Sequence, residues 1–343
     1  MSEKLIFWFE DLEEKHNDIV GKKCANLGQM IQLGMAVPPG FAISIDMYRK
    51  FLDETGSSKE MSQYVESLGE LKGAGIQVFD EVSEKLKSMI EDREMSKEVG
   101  AQILEYYHQL CEKLDIKDVA VSVRSAGTES RPGMFETYLN VIGDDDLLQK
   151  VKTVWASSYT ARAVAFRVKK GLPVIGDELG VAVPKMVNSR SSGVSFTVDP
   201  ITGDDNKVIL EANWGLGEGV VSGSGSVDGF VVDKESLEII SRHVGQKTRC
   251  VVNMEKGAEW VDVPEKMQRV PSLSDEEVIE IVKTGKSVEK QLGCAQDMEW
   301  AVDGDLPFPQ NIFWLQTRPA KVQAKKPVST TDRIMDLLAK KYA

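Results

Sequence analysis

The strongest constraint on the fold lies near the C-terminal end of the chain. Ile312 to Leu315 is an apolar run that reads as a strand and delivers Gln316 and Arg318 two residues apart. In a strand, residues i and i+2 share a face, so an amide oxygen and a fixed cation emerge side by side. Just upstream, Asp297-Met298-Glu299-Trp300-Ala301 reads as a second strand carrying Glu299, joined to the first through a turn at Asp303-Gly304-Asp305. A carboxylate, an amide and a guanidinium on adjacent strands suit a Mg²⁺-bound polyphosphate. The same twenty residues also allow a plain β-hairpin with a polar open face.

Composition narrows the classes. The 343 residues suffice for two domains or for one domain of two lobes. An apolar fraction of 42% with 28% charged residues is that of a soluble globular chain. The net charge of −12 argues against broad binding to nucleic acid or anionic membrane, while leaving room for a local basic pocket. No apolar run reaches 18 residues, and the segment Met1 to Phe7 has too short an apolar core for a signal peptide. Cys24, Cys111, Cys250 and Cys294 are far apart and form no CxxC pair, so neither a zinc site nor a disulfide framework is expected. A cytoplasmic location follows by default.

Along the chain, residues 18–36 read as a glycine turn followed by an amphipathic helix, and Val37 to Ile43 as a turn into a short strand. Residues 45–114 are helical and highly charged. Val119 to Val123 is a β-branched strand ending at Arg124-Ser125, residues 126–137 form a loop, and 146–170 have the spacing of one helix. From Val181 strand signals follow quickly, interrupted by a helix that opens on the capping box Ser274-Asp275-Glu276-Glu277. The expected fold is α+β, with an N-terminal α/β lobe over residues 1–182 and a strand-rich lobe over 183–320. Residues 321–343 read as a linker and a short amphipathic helix.

Two glycine-rich segments are decoys. Gly285-Lys286-Ser287 ends like a P-loop, but Glu280 stands where the first glycine is required, and the segment lies inside a predicted helix. Trp214-Gly215-Leu216-Gly217-Glu218-Gly219 lacks the G-x-G-x-x-G spacing and a surrounding βαβ unit, and reads as a loop near a ligand. Gly21 to Gly28 combines a turn, two lysines and a helix start, which favours an anion.

Together the motifs resemble one family: the N-terminal ATP-binding part of phosphoenolpyruvate synthase, pyruvate phosphate dikinase and rifampicin phosphotransferase. The resemblance spans residues 5–320. It rests on Lys23-Cys24-Ala25-Asn26-Leu27-Gly28, Val37-Pro38-Pro39-Gly40-Phe41, Val123-Arg124-Ser125 and the segment from Gly133 to Asn140. It continues through Ser192 to Pro200, Glu211 to Glu218, Asp297-Met298-Glu299-Trp300 and Leu315-Gln316-Thr317-Arg318-Pro319. The resemblance implies an ATP-grasp-like fold with ATP between the lobes. It assigns Lys23 and Arg124 to the phosphates, Gly133 and Thr137 to a loop over the triphosphate, and Lys185-Met186-Val187 to the adenine end. Glu299 and Gln316 would bind Mg²⁺, and Arg318 would stabilise the transferring group. Phosphoryl transfer asks for such cations and positioning more than for covalent groups. The overall nucleotide products in the family are AMP and phosphate.

The chain departs from the pattern at several places. Pro184 stands where the family often has glutamine before Lys-Met-Val, and Cys24 follows Lys23 in place of glycine. The connection between the two metal strands, Asp303 to Pro309, is long. None of His16, His108 or His243 lies in a Thr-x-Gly-Gly-like context for a phosphate-accepting histidine. The expectation is therefore an ATP-binding subunit whose phosphohistidine sits on a swivelling domain of a partner chain, as in phenylphosphate synthase, with phenol as acceptor. The alternatives are the N-terminal part of a phosphoenolpyruvate synthase or antibiotic phosphotransferase, or a non-catalytic nucleotide-sensing subunit.

Overall fold

Strands whose two faces differ in residue size organise the first lobe. The chain adopts, in a computed structural model describing residues 4–129, 134–221, 226–255 and 257–322, strands β1 (Ile6–Trp8), β2 (Gly40–Ile43), β3 (Val121–Ala126), β4 (Thr137–Val141) and β5 (Gly180–Pro184). They form one antiparallel sheet in the order β1-β2-β5-β3-β4. Phe41, Ile43, Val121, Val123, Val181 and Val183 enter one core together with residues of helices α3 (Ile45–Glu54), α5 (Ile76–Glu91), α6 (Lys97–Leu114) and α7 (Asp144–Ala156). The short helix α4 (Ser57–Ser67) adds Met61 to that core. Ala42, Ala126 and Ala182 alternate with the bulky residues and belong to a second core. Their small side chains let helix α2 (Lys22–Gln32), which follows the single turn α1 (Asn17–Val20), lie close against the sheet.

The helix expected over 146–170 is two helices. Its serines and threonine are the reason. Ser157 and Ser158 donate their hydroxyls back to the carbonyls of Val154 and Trp155 at 2.7 and 2.9 Å, which ends α7. The Thr160 hydroxyl then accepts from the Ala163 N–H at 3.3 Å and caps a new helix, α8 (Ala161–Lys170). Residues 183–184, placed by sequence in the second lobe, continue β5 of the first sheet, and the chain crosses between sheets at 185–188.

The second lobe is a six-stranded antiparallel sheet built from β6 (Ser189–Phe196), β7 (Lys207–Trp214), β8 (Asp228–Asp233), β9 (Ile239–His243), β12 (Gln296–Asp303) and β13 (Ile312–Pro319), in the order β13-β12-β6-β7-β8-β9. Val208, Leu210, Phe230, Val232, Met298, Trp300 and Trp314 line one face and share a core with helix α10 (Asp275–Leu292) and with α2. The capping box at Ser274 forms as expected. Its Glu277 carboxylate also takes Arg190 at 2.7 Å and Asn311 at 3.0 Å, so a buried charge is fully engaged.

Between β9 and α10 the sequence reading missed a hairpin, β10 (Arg249–Asn253) with β11 (Ala258–Asp262). At its tip the Met254 carbonyl accepts from the Asn140 side chain on β4, so the hairpin joins the two lobes. It also holds the loop before the one-turn helix α9 (Glu218–Val221), where the Leu216 N–H donates to the Val251 carbonyl at 2.8 Å. The predicted C-terminal helix and linker lie outside the described residues.

Gly193 on β6 has no room for a side chain: a Cβ there would stand 2.1 Å from the Glu211 carbonyl and 2.5 Å from the Trp300 ring. Gly193→Ala is expected to lower stability by about 2–3 kcal/mol through overpacking, with chemical denaturation as the measurement.

Candidate nucleotide cleft

The site starts from the way α2 meets β3. Gly21 takes φ +81°, and a Cβ there would sit 2.0 Å from the Ala126 carbonyl. Only glycine supplies that conformation and that approach without strain. The Lys22 N–H then donates to the Gly127 carbonyl at 2.8 Å, fixing the helix start against the strand end. Lys23 thus stands beside Arg124, which lies on the same face of the sheet as Ala182, its direct cross-strand partner. Thr137 is the partner of Arg124 on β4.

Opposite, Glu299 on β12 pairs directly with Gln316 on β13, and Asp297 with Arg318. Cross-strand partners share a face and stand close enough to act on one ligand. Lys23, Arg124, Thr137, Glu299, Gln316 and Arg318 line one cleft of about 950 Å³ between the sheets, together with Lys185, Met186 and Val187. Of the residues singled out from sequence, only Gly133 is not placed; it lies outside the described residues. The volume is at the upper end of what small-molecule sites need.

The electrostatics are those of a pocket prepared for an anion. Burial pushes the Lys23 ammonium down to about 7; the Arg124 cation adds to this, while Cys24 and Glu299 oppose it. A polyanion in the cleft would favour its charged form. The Arg124 Nη1 donates to the Leu315 carbonyl at 3.4 Å, from the first lobe to the second. Arg318 donates its Nε to Asp297 at 2.7 Å, the pairing an architectural arginine would make, but no described residue takes its Nη groups. Its side chain is 42% exposed, so the pair itself adds little stability.

Glu299 and Gln316 fit a magnesium ion of one kind only. Among the described residues no group of three or more His, Cys, Asp or Glu could hold a metal. One carboxylate and one amide, with side chains engaged by no described residue, suit Mg²⁺ that takes its remaining ligands from water and phosphate. A protein-only cage is not formed here.

The segment Lys185 to Val187 has its backbone largely committed. The Lys185 N–H donates to Pro39 and the Met186 N–H to Ala120, both at 2.8 Å, and the Lys185 ammonium reaches the Met186 carbonyl at 3.3 Å. Pro184 pairs with Gly40 and brings no N–H of its own.

A family model described as the pyruvate phosphate dikinase, AMP/ATP-binding domain matches residues 17–337. The chain belongs to this family. Among curated relatives, the probable phosphoenolpyruvate synthase of Staphylothermus marinus is 37% identical over 344 residues, covering 92% of this chain and 41% of that protein. The probable phosphoenolpyruvate synthase of Methanocaldococcus jannaschii is 38% identical and covers 93% of this chain and 27% of its own length. The phosphoenolpyruvate synthase of Aeropyrum pernix is 35% identical, with shares of 95% and 43%. The chain spans less than half the length of these relatives. A solved biotin carboxylase–ATP complex from Campylobacter jejuni is 14% identical and covers 93% of this chain and 44% of its own, at a TM-score of 0.34, too loose a likeness to carry an argument.

For this member of the pyruvate phosphate dikinase AMP/ATP-binding family, sequence gave no role to several cleft residues. Asn26, Leu139, Leu216, Glu218 and Cys294 also line it. Asn26 had a readable signal, since it stands one helical turn from Lys23 and so on the same face. Leu216 and Glu218 lie in the segment that the sequence reads as a loop near a ligand, and the structure brings both to the cleft; the hairpin that holds Leu216 in place is what the pattern did not reveal. None of the three histidines lines the cleft. His16 accepts from the Glu13 N–H, His108 pairs with Asp144 at 2.8 Å, and His243 is exposed on β9.

The cysteines differ sharply. Burial pushes the Cys24 thiol up to about 12, whereas Cys294 is exposed at the cleft. Alkylation at neutral pH is expected to modify Cys294 first and spare Cys24. Peptide mass mapping over time checks the order.

Proposed function

We propose that this chain is the ATP-binding half of a phosphoenolpyruvate synthase-type dikinase, which binds Mg·ATP in the cleft and delivers phosphoryl groups to a histidine outside this sequence. The single observation behind the reading is the convergence of Lys23, Arg124, Glu299, Gln316 and Arg318, from four elements and both lobes, on one cleft. In this reading Lys23 and Arg124 hold phosphate oxygens and Thr137 contacts the triphosphate. Lys185 to Val187 bound the adenine. Glu299 and Gln316 hold Mg²⁺, which neutralises charge on the phosphates. Arg318, anchored by Asp297, turns the Nη groups that no described residue takes to the transferring group, where preorganised cations act most strongly.

The relatives' names favour the phosphoenolpyruvate synthase reading over phenol as acceptor. In this reading the accepting histidine belongs to a swivelling domain outside this sequence, for which a partner chain is proposed, and the chain's own three histidines lie away from the cleft. A cytoplasmic setting belongs to the same reading; the four cysteines are free, and among the described residues no helix is long and apolar enough to cross a membrane.

The chain alone is expected to bind Mg·ATP and turn it over very slowly. Calorimetry and a nucleotide assay measure both, and rapid stoichiometric phosphorylation of His16, His108 or His243 would overturn the assignment of the acceptor. Glu299→Ala and Gln316→Ala are expected to weaken Mg-dependent binding while melting temperatures stay close to that of the parent chain. Equal binding by both variants would remove the metal assignment.

Arg318→Lys tests the role of the guanidinium. A planar fork that grips two oxygens is not replaced by a compact ammonium, and such contacts contribute a factor on the order of 10²–10³ in rate. Turnover with the accepting domain is expected to fall by that order with ATP affinity little changed. A lowered melting temperature with an unchanged single-turnover rate would assign Arg318 to architecture.

A further inference from the structure

β13 is the edge strand of its sheet, so one side of its backbone has no strand partner. The first lobe takes up those groups. The Trp314 N–H donates to the Ala36 carbonyl at 2.8 Å, the Leu315 carbonyl accepts from Arg124 at 3.4 Å, and the Thr317 N–H donates to the Asn26 Oδ1 at 3.1 Å. The first contact is backbone to backbone, and the second comes from a group the phosphates would also engage. The third comes from a neutral side chain that carries no charge to a ligand.

Its placement is specific. Asn26 stands one turn after Lys23 on α2, and both line the cleft. Thr317 stands between Gln316 and Arg318. The same residue is held from its other side: its hydroxyl donates to the Gln296 Oε1 at 2.9 Å, and the Gln296 N–H donates to the Thr197 hydroxyl at 2.8 Å. Thr317, Gln296 and Thr197 are all buried. Thr317 is therefore clamped in two directions, one of which crosses the cleft floor to the helix that carries Lys23.

We propose that Asn26 is a positioning residue, whose amide oxygen sets the distance between the phosphate cations of the first lobe and the Gln316–Arg318 pair of the second. This rests on the nucleotide reading of the cleft. Asn26 acts through Thr317 and not on the reacting atoms. Without the amide, the Thr317 N–H at the edge loses its acceptor, and the strand segment bearing Gln316 and Arg318 gains freedom relative to Lys23. Ligands that span both lobes then lose affinity; ligands that use only the adenine end do not.

The test is calorimetry on the full chain with two probes, AMP and the Mg complex of a non-hydrolysable ATP analogue. Alanine is the best helix former, so Asn26→Ala leaves α2 intact. The expected result is AMP affinity within about twofold of the parent chain and affinity for the Mg-bound analogue reduced about tenfold or more, since small misplacements at such sites have large effects. Gln32→Ala, also on α2 but not lining the cleft and bonded to the Glu10 carbonyl instead of β13, is the control and is expected to leave both affinities unchanged. Equal losses for both probes, or no loss for the analogue, would overturn the proposal. A parent chain that binds neither probe would instead overturn the nucleotide reading itself. If Asn26→Ala fails to fold, Thr317→Ala removes the opposite arm of the clamp and keeps the N–H; it is expected to show the same selective loss, and its absence would count against the clamp.

Discussion

Everything in the cleft depends on how the edge strand Ile312–Pro319 is held. A strand at the margin of a sheet has half its backbone groups unpaired, and burying such groups without partners is costly. Here the partners come from the opposite lobe: a carbonyl from the segment after α2, the Arg124 guanidinium and the Asn26 amide. One seam thus satisfies the backbone and also brings Gln316 and Arg318 to face Lys23. The cost of leaving the strand unpaired and the geometry of the site are the same physical problem, solved once.

α2 packs against the sheets of both lobes. Its outer residues Cys24, Leu27 and Met30 enter the core that holds Trp300 and Trp314, while Ala42, Ala126 and Ala182 of the first sheet accept its close approach. Small residues at those three strand positions matter as much as the large ones on the other face. A bulkier side chain at Ala182 would move the helix away from the sheet, and Lys23 would move with it. The capping network at Glu277 plays the corresponding part at the far side, tying α10 to the segment between β12 and β13.

Much of this was legible in sequence, and the reasons differ by element. The β12–β13 hairpin was visible because an apolar run and the Asp303-Gly304-Asp305 turn signal act over a few residues, and the Ser274 capping box because it is wholly local. The two-helix break at Ser157–Thr160 was not, because hydroxyls that turn back on the helix leave apolar periodicity undisturbed. The β10–β11 hairpin escaped because its partners for packing, Leu216 and Asn140, are distant in the chain. The charged site residues could be named singly, but their convergence rests on contacts between segments separated by up to 291 positions, as Asn26 and Thr317 are. No local pattern encodes such a contact; the family resemblance implied one site for the charged residues but not the Asn26–Thr317 bond that helps to join them.

The claimed edge of β13 also bears on solubility. An open strand edge is a template for pairing with other chains, and folded proteins cover, charge or twist it. The opposite edge of this sheet, β9, exposes Ser241, Arg242 and His243 beside a single apolar residue, Ile240. The β13 edge carries Ile312 and Trp314 and relies on the first lobe as its cover. Cut apart near residue 185, the second lobe would present both a sticky margin and the apolar surface that α2 now covers. The lobes are thus separable on paper but each is the other's protection against aggregation.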